Sequence, residues 1–210
     1  MVSPAPARRT QEERREGTIR KLLDAATDAL IDDGYAAASV QNVCARAELS
    51  QGALFRHFPT REALLVAVGD DVGHQMLTRY KRDFEALRDE EEPLVLAIRL
   101  VRERCRSRLN QAWYELAVAA RTSATLRKSL KPVAERYHEE ICALAVELLP
   151  DLAAAMGDRF PALVSTIIAV FDGESVHRFV LSKPAIEDQR IELLAAMAGM
   201  IGARPRPRAK

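Results

Sequence analysis

The segment from Ser39 to Leu65 constrains the fold of this chain more than any other. It reads SVQNVCARAELSQGALFRHFPTREALL. Ser39 and Ser50 each stand immediately before a short helical pattern, where a hydroxyl oxygen can accept a hydrogen bond from a free backbone N–H at the helix start. In the second pattern, Leu54 and Phe58 lie four residues apart and therefore share one face. Two short capped helices joined by a tight turn are typical of a helix-turn-helix.

The face of the second helix that lies away from Leu54 and Phe58 is short, polar and partly cationic. It presents Gln51, Arg56 and His57. A polar helical face is most often a solvated surface and nothing more. Its combination with two caps and a tight turn is much less common, and this combination favours a contact with nucleic acid.

Composition and residue spacing predict an all-α fold. Of the 210 residues, 48% are hydrophobic, which is ample for a core, and only 5% are aromatic. Strand-like alternation persists nowhere, whereas apolar residues recur every four positions between Thr60 and Leu87, which predicts one long helix there. Gly69 and Gly73 within it are expected to allow close helix contact rather than to form a hinge.

Net charge does not identify a nucleic-acid binder, because the formal charge is only +1. The distribution of charge is more informative. Positive residues lie largely in the N-terminal arm and around the second helix of the motif, whereas Asp24, Asp28, Asp32 and Asp33 follow the preceding helix. The N-terminus lacks the apolar run of a signal peptide, and the apolar stretch Leu193–Ala203 is too short to span a bilayer. We therefore expect a cytoplasmic protein with no membrane partner.

The three cysteines, Cys44, Cys105 and Cys142, are widely spaced and odd in number. They suggest neither a disulfide framework nor a zinc site. We interpret them as small apolar core residues, with a redox sensor as the alternative. Neither a metal nor a cofactor is expected.

The run from Ile19 to Leu65 resembles the DNA-binding domain of the tetracycline-repressor (TetR/AcrR) family of transcriptional regulators. The matching residues are Ile19, Ala25, Ala26 and Leu30 in a first helix, then Gly34-Tyr35, Ser39-Val40, Leu49-Ser50-Gln51-Gly52 and Leu54-Phe55-Arg56-His57-Phe58. The resemblance implies an all-helical homodimer whose N-terminal domains bind double-stranded operator DNA and whose C-terminal domains bind a small effector. It also implies that the effector releases the operator, so a repressor is expected.

Three residues depart from the family pattern. Glu48 stands where the family commonly has Gly, and a positive φ at this residue would cost about 1 kcal/mol. Phe55 replaces a frequent Tyr and removes a hydroxyl contact. Arg61 replaces a usual Lys, and its planar guanidinium could grip a phosphate bidentately.

The predicted organisation has four parts. Residues 1–15 are expected to form a flexible basic arm, 16–62 a three-helix DNA-binding domain with the helix-turn-helix, 63–203 a larger helical domain for effector binding and dimerisation, and 204–210 a disordered basic tail.

Groove chemistry and the resemblance together predict the DNA-contacting residues. Gln51 suits adenine or a phosphate and Arg56 suits guanine or a phosphate, whereas Phe55 offers an apolar contact to a thymine methyl group. The full predicted set is Ser39, Gln41, Ser50, Gln51, Ala53, Phe55, Arg56, His57 and Arg61.

Two C-terminal segments, 160–181 and 186–201, are predicted to be helices that are apolar on more than one face. Such a pair needs cover on two sides, which favours a homodimer, and the resemblance implies a four-helix interface. The alternative is that both are core helices of a monomer. The residues predicted to mediate dimerisation are Phe160, Leu163, Val164, Ile167, Phe171, Leu194, Met197 and Ile201.

Effector chemistry is only weakly indicated. An amphiphilic or aromatic, largely apolar molecule is expected, because apolar residues with a few polar groups occur midway along the second domain. The predicted ligand-binding residues, each of which also fits a core position, are Cys105, Trp113, Tyr114, Tyr137 and Phe171. A separate stripe of Arg99, Arg102 and Arg106 is interpreted as a solvated or ion-paired face, with an anion site as the alternative.

Two rival classes of function stay open. An enzyme could use Cys105 with His138, or Glu174 with His177 at a metal, but neither pair has the remaining residues that such a site requires. The chain is therefore expected not to be an enzyme. The second rival is a helical protein-interaction module whose helix-turn-helix no longer binds DNA.

Overall fold

The computed structural model describes residues 10–202, and their side chains as far as Met200. These residues are helical and contain no strand, which confirms the all-α prediction. The helices are α1 (Gln11–Ala37), α2 (Val40–Ala47), α3 (Gln51–His57), α4 (Arg61–Leu87), α5 (Pro93–Cys105), α6 (Arg108–Thr122), α7 (Ala124–Leu148), α8 (Pro150–Met156), a 3-10 turn (Gly157–Arg159), α9 (Phe160–His177) and α10 (Pro184–Gly202).

Several helices begin where a side chain accepts a hydrogen bond from the free backbone N–H of the first turn. Thr10 caps α1 and shares a reciprocal capping box with Glu13. Ser39 accepts from the Asn42 N–H at 3.2 Å and starts α2. Ser50 accepts from the Ala53 N–H at 3.1 Å and starts α3. These bonds satisfy donors that would otherwise lack a partner, and they explain why the helices start at these serines.

The chain divides into two compact units. The first, here the N-terminal unit, takes the residues up to Asp71 together with Ala112–Leu130, and the second, here the C-terminal unit, takes Val72–Gln111 and the residues from Lys131 onward. The boundary predicted between residues 62 and 63 is thus not the place where the units divide. No sequence pattern predicted that Ala112–Leu130 belongs to the same compact unit as the N-terminal helices.

The N-terminal unit buries one face of each of its helices. Its largest fully buried side chains include Leu22, Leu30, Val43, Leu54, Leu64, Leu65, Leu116 and Leu126. Arg20 of α1 donates two hydrogen bonds of 2.6 Å to Asp71 of α4, which ties these helices together. A Cβ at Gly69 would lie 3.2 Å from Leu130 and 3.3 Å from Trp113, so the predicted close contact at this glycine is confirmed.

In the C-terminal unit, α5 packs against α9 and α10. Ile98, Cys105, Ile167 and Phe171 form the buried cluster between them. At Gly73, a Cβ would lie only 3.0 Å from the Tyr137 ring, so this glycine also serves close packing.

Some predicted boundaries are wrong. The predicted arm of residues 1–15 overlaps α1, which already begins at Gln11, while residues 1–9 and the predicted tail 204–210 lie outside the described part of the chain. The helix predicted over 160–181 ends at His177. The sequence analysis also missed α8, which begins with Pro150 in its first turn.

The stretch Pro150–His177 is long and apolar enough, by length and composition alone, to cross a membrane. Gly157 interrupts its helical path with a φ of 56°. Phe160, Ile167 and Phe171 within it are buried in the C-terminal unit. The stretch is therefore divided into two helices at Gly157, and only part of it, 22% of its apolar window, is buried in this unit.

Candidate nucleic-acid interface and effector site

The turn between α2 and α3 has the geometry that a helix-turn-helix requires. The backbone of Glu48 is left-handed, with φ 55° and ψ 42°, and Glu48 is the one non-glycine residue with positive φ among those described. An L-residue pays about 1 kcal/mol for this conformation. Glu48 therefore adopts the left-handed backbone that the sequence analysis considered for this position, and its conformational cost stays a prediction.

The short helix α3 separates an inner from an outer face. Leu54 is fully buried, which holds α3 against the N-terminal unit. Gln51 and Arg56 are exposed, and 45% of the Phe55 side chain is exposed as well. Ala53 and His57 are half-buried, and Gln41 at the start of α2 is exposed. The outer face thus combines an amide, a guanidinium and an aromatic ring.

Ser39 and Ser50, which were predicted to contact DNA, act as helix caps in the structure, because both hydroxyl oxygens accept hydrogen bonds from backbone N–H groups. Their expected effect on DNA binding is therefore to orient α2 and α3.

Arg61 is a correction to the sequence analysis. Its guanidinium donates from Nε to the Ala38 carbonyl at 2.7 Å and from Nη2 to the Tyr35 carbonyl. It also stacks over the Tyr35 ring, 4.4 Å from its centroid. Two guanidinium nitrogens are thus occupied by backbone carbonyls, which corrects the expectation of a freely available fork, while a contact between Arg61 and a phosphate stays a prediction.

We call the backbone from Gly34 to Ser50, which joins α1 to α2 and α2 to α3, the corner. Its Tyr35 is also held by a residue that the sequence analysis missed. The Tyr35 N–H donates to Glu115 of α6 at 2.9 Å, directly after Gly34, whose φ is +80°. Tyr35 is thus bonded through its N–H to Glu115 and through its carbonyl to Arg61. No local pattern predicts Glu115, because it lies 80 residues from Tyr35.

Most of the positive charge near α2 is neutralised. Arg46 pairs with Asp32 at 3.0 Å and with Asp33 at 2.7 Å. Hydrogen bonds from Asn42 and Arg46 lower the pKa of Asp33. Arg56, by contrast, has no ion pair within residues 10–200, so its charge is available on the outer face of α3.

The predicted ligand-binding residues are divided between the two units. Trp113 and Tyr114 belong to the N-terminal unit, whereas Cys105, Tyr137 and Phe171 belong to the C-terminal unit. Cys105 and Phe171 share one buried cluster. Burial raises the pKa of the Cys105 thiol, so the thiol stays protonated and is a poor nucleophile.

The arginine stripe of α5 is ion-paired, as interpreted from the sequence. Glu174 of α9 accepts hydrogen bonds from Arg102 at 2.7 Å, from Arg106 at 2.5 Å and from Arg190 at 2.7 Å. Glu187 accepts a further bond from Arg106 at 2.7 Å. We name Arg102, Arg106, Arg190, Glu174 and Glu187 the ion network.

Glu174 is the centre of the ion network, since only 2% of its side chain is exposed. Burial by itself raises the pKa of Glu174, but the hydrogen bonds from Arg102, Arg190 and Arg106 outweigh it and leave the pKa below its usual value. The third member of the stripe, Arg99, pairs outside this network with Glu91 at 2.8 Å.

The surface predicted for dimerisation needs partial correction. Phe160, Ile167 and Phe171 are buried within the protomer, so they are core residues and cannot supply an exposed interface. Leu163, Val164 and Leu194 are half-buried, Met197 is exposed, and the side chain of Ile201 lies outside the described set. Other apolar residues that the sequence analysis did not select are more exposed: Val176, Phe179, Val180, Leu181, Ile186, Leu193 and Met200.

Neither pair considered for an enzyme forms. His138 Nε2 lies 3.7 Å from the Sγ of Cys142, one helical turn away, and Cys105 instead bonds to Asp172. Glu174 is occupied by arginines, and His177 Nδ1 lies 2.7 Å from the Gly173 carbonyl. Among the described residues, no group of three or more His, Cys, Asp or Glu side chains is placed to hold a metal ion.

Comparison with known proteins places this geometry in context. Residues 22–68 match the sequence profile of bacterial regulatory proteins of the tetR family. An uncharacterised helix-turn-helix-type transcriptional regulator of Mycobacterium tuberculosis (strain ATCC 25618 / H37Rv) is 36% identical over 189 residues, which cover 90% of this chain and 96% of the relative. A helix-turn-helix-type transcriptional repressor of the same strain is 38% identical over 73 residues, or 35% of this chain and 39% of the repressor.

A solved structure agrees with the sequence relatives. The crystal structure of the multidrug binding protein EbrR, complexed with imidazole, superposes with a TM-score of 0.63 at 25% identity, and the match covers 91% of this chain and 98% of EbrR. The similarity therefore extends over nearly the whole chain, well beyond the helix-turn-helix.

Proposed function

The chain belongs to the TetR family of bacterial transcriptional regulators and binds DNA, and we propose that it is a dimeric repressor released from a palindromic operator by a small-molecule effector. A regulator of this kind acts in the cytoplasm and needs no catalytic site.

One observation carries the proposal: α3 is fixed from within by Leu54 and capped by Ser50, while Gln51 and Arg56 face outward. A helix of this width fits the major groove. Arg56 then reads guanine or grips a phosphate, and Gln51 reads adenine or contacts a phosphate. Phe55 offers an apolar contact to a thymine methyl group.

Further contacts come from residues around α3. Gln41 and His57 bond to backbone phosphates, and the small Ala53 lets the helix approach the bases. Ser39 and Ser50 act through their caps, and Arg61 acts by holding the corner at Tyr35.

Dimerisation uses the apolar surface that the C-terminal unit leaves exposed. Phe179 is 72% exposed and Val180 is 92% exposed, and Leu193, Met197 and Met200 of α10 are exposed as well. Large exposed apolar patches favour association. A symmetric dimer places two copies of α3 about 34–36 Å apart, or further by whole turns, so that they read two half-sites of a pseudo-palindrome.

We assign DNA binding to the helices of 16–62, and effector binding and dimerisation to 63–203. The effector is a small, amphiphilic or aromatic molecule bound near Cys105, Tyr137 and Phe171. The likeness to EbrR, described as a multidrug binding protein, supports this class of ligand. An effector that prefers one of two dimer conformations changes operator affinity by its differential affinity, typically about 1–3 kcal/mol.

The test begins with selection of genomic fragments by the full-length protein, followed by gel shifts at fixed salt. We expect an enriched palindrome, and we expect Arg56→Ala and Gln51→Ala each to lower operator affinity by about 1–3 kcal/mol while helicity and dimer mass stay unchanged. Arg159→Ala, at an exposed arginine of the C-terminal unit, is the matched control and leaves the affinity unchanged.

Failure to enrich any palindrome would contradict the proposal and favour the protein-interaction module. Unchanged operator affinity in Arg56→Ala and Gln51→Ala would remove these two residues from the interface even if a palindrome is found.

A further inference from the structure

Helix α9 carries two acidic residues in a mainly apolar sequence, Asp172 and Glu174. They differ in whether a positively charged side chain pairs with them. Glu174 is neutralised by Arg102, Arg106 and Arg190. Asp172, two residues earlier, has no ion pair with any cation in the part of the chain that the structure describes. One helix thus holds a compensated carboxylate and an uncompensated one.

The hydrogen-bond partners of Asp172 are neutral. Asn110 Nδ2 donates to Asp172 Oδ1 at 3.1 Å, and the same amide group donates to the Cys105 carbonyl at 2.9 Å. The Cys105 thiol shares a hydrogen bond with Asp172, and the Tyr137 ring system lies near both. We name Asp172, Asn110, Cys105 and Tyr137 the acidic subsite.

The acidic subsite borders the apolar core of the C-terminal unit. Cys105 belongs to the buried cluster with Ile98, Ile167 and Phe171. Asp172 and Tyr137 are half-buried, so each keeps some surface open to approach. Burial raises the pKa of the Asp172 carboxyl, although hydrogen bonds from Asn110 and Cys105 lower it in part. A carboxylate that loses water without gaining a cation is costly to keep charged.

We propose that the acidic subsite is the polar part of the effector site and that Asp172 binds a cationic organic group, such as a protonated amine or a delocalised aromatic cation. The proposal rests on the proposed effector-binding function and adds the charge of the ligand to it. A bound cation supplies the compensation that Asp172 lacks.

Other ligand classes fit the acidic subsite less well. An anion would be repelled by Asp172, and the neighbouring arginines are already committed to Glu174 and Glu187. A hard metal ion needs more oxygen ligands than this one carboxylate and its neutral neighbours provide. An organic cation requires only one carboxylate beside apolar and aromatic surface.

Tetraphenylphosphonium and tetraphenylborate test the proposal, because they have nearly the same size and shape but opposite charge. Binding of both ions to the full-length protein is measured by isothermal titration calorimetry. We expect the wild type to bind the phosphonium about tenfold or more tightly than the borate. Asp172→Asn is expected to weaken phosphonium binding by about tenfold or more and to leave borate binding unchanged or tighter.

Two control variants separate charge at the site from general effects. Asp151→Asn removes an exposed carboxylate of the same unit and should keep the preference for the cation. Asp172→Glu keeps the charge and should also retain the preference for the phosphonium. If circular dichroism shows that Asp172→Asn is unfolded, the Asp172→Glu variant provides the test instead. A folded Asp172→Glu that has lost the preference for the phosphonium would then overturn the proposal.

Absence of phosphonium binding to the wild type, equal affinity for the two ions, or an unaffected Asp172→Asn would each overturn the proposal. Gel shifts on the selected operator distinguish this failure from failure of the regulator function. If the operator binds and only the cation preference is missing, the acidic subsite alone is rejected. If no operator can be found, the regulator function fails whatever the two ions do.

Discussion

The corner around α2 and α3 and the ion network of α5, α9 and α10 are stabilised in contrasting ways. At the corner, Ser39 and Ser50 bond to backbone N–H groups only three residues away. In the ion network, Arg102 and Glu174 are 72 residues apart, and Arg106 and Glu187 are 81 apart. The corner combines short-range caps with two longer-range contacts at Tyr35, whereas in the network three arginines from two helices share the single buried carboxylate of Glu174. The two regions should therefore respond differently to single substitutions.

Glu174→Ala should produce the largest effect and tests whether the network depends on one residue. Three arginines lose their shared acceptor, while Arg102 keeps its bond to Asp188 at 2.8 Å and Arg106 keeps its bond to Glu187 at 2.7 Å. The cost in the free energy of unfolding should therefore be about 3 kcal/mol, the lower end of the range for removing one partner of a buried ion pair. Urea denaturation measures this cost. Glu192→Ala, at an exposed position of α10, is the control and should change stability by less than about 0.5 kcal/mol. A small effect of Glu174→Ala would mean that the network adds little stability.

Arg61→Ala tests one of the two charged side chains, Arg61 and Glu115, that hold the backbone of Tyr35 at the corner. Loss of the bonds to the Tyr35 and Ala38 carbonyls should cost about 1.5–3 kcal/mol, and Arg61→Lys should recover little, because an ammonium lacks the planar fork. Arg56→Ala is the contrasting control, with stability unchanged but operator binding weakened. If Arg61→Ala instead keeps its stability and only reduces the salt dependence of operator binding, Arg61 contacts phosphate after all.

Glu48→Gly should have a smaller effect of opposite sign. Glycine adopts the left-handed backbone of this turn without strain, so stability should rise by about 1 kcal/mol. Glu48→Ala should show no such gain, because alanine pays the same conformational cost. A thermal melt that shows equal stability for the two variants would indicate that the turn stores no strain.

The smallest expected effect is a difference in pH dependence between two neighbouring carboxyl groups. Glu174, with a lowered pKa, stabilises the folded state at pH values above its ordinary pKa of 4.5, and this contribution is lost as the pH falls through its folded pKa. Asp172, with a raised pKa, destabilises the folded state near neutral pH, and this penalty is lost as the pH falls through its raised pKa. Asp172→Asn should therefore be more stable than the wild type near pH 7, with the gap closing on acidification. Urea denaturation across this pH range measures the gap, and a gap that widens at low pH would contradict the assigned direction.

The region that was predicted best is the one governed by short-range rules. The caps at Ser39 and Ser50, the buried Leu54 and the long helix α4 all follow from residues within one or two turns of each other. The ion-paired interpretation of the arginine stripe was also correct, but its partners were not foreseen. A carboxylate within the apolar sequence of α9 was the available signal for both Asp172 and Glu174.

The sequence by itself determined where α2 and α3 start, which face of α3 is buried and which family the first third resembles, because caps and helical periodicity act over a few residues. Only the tertiary structure decided the tasks of Arg61, Glu115 and Glu174, since each depends on a partner brought close by folding from a distant part of the chain. The same applies to Phe160, Ile167 and Phe171, whose apolar character suits a core and an interface equally. Burial within the protomer settled that choice.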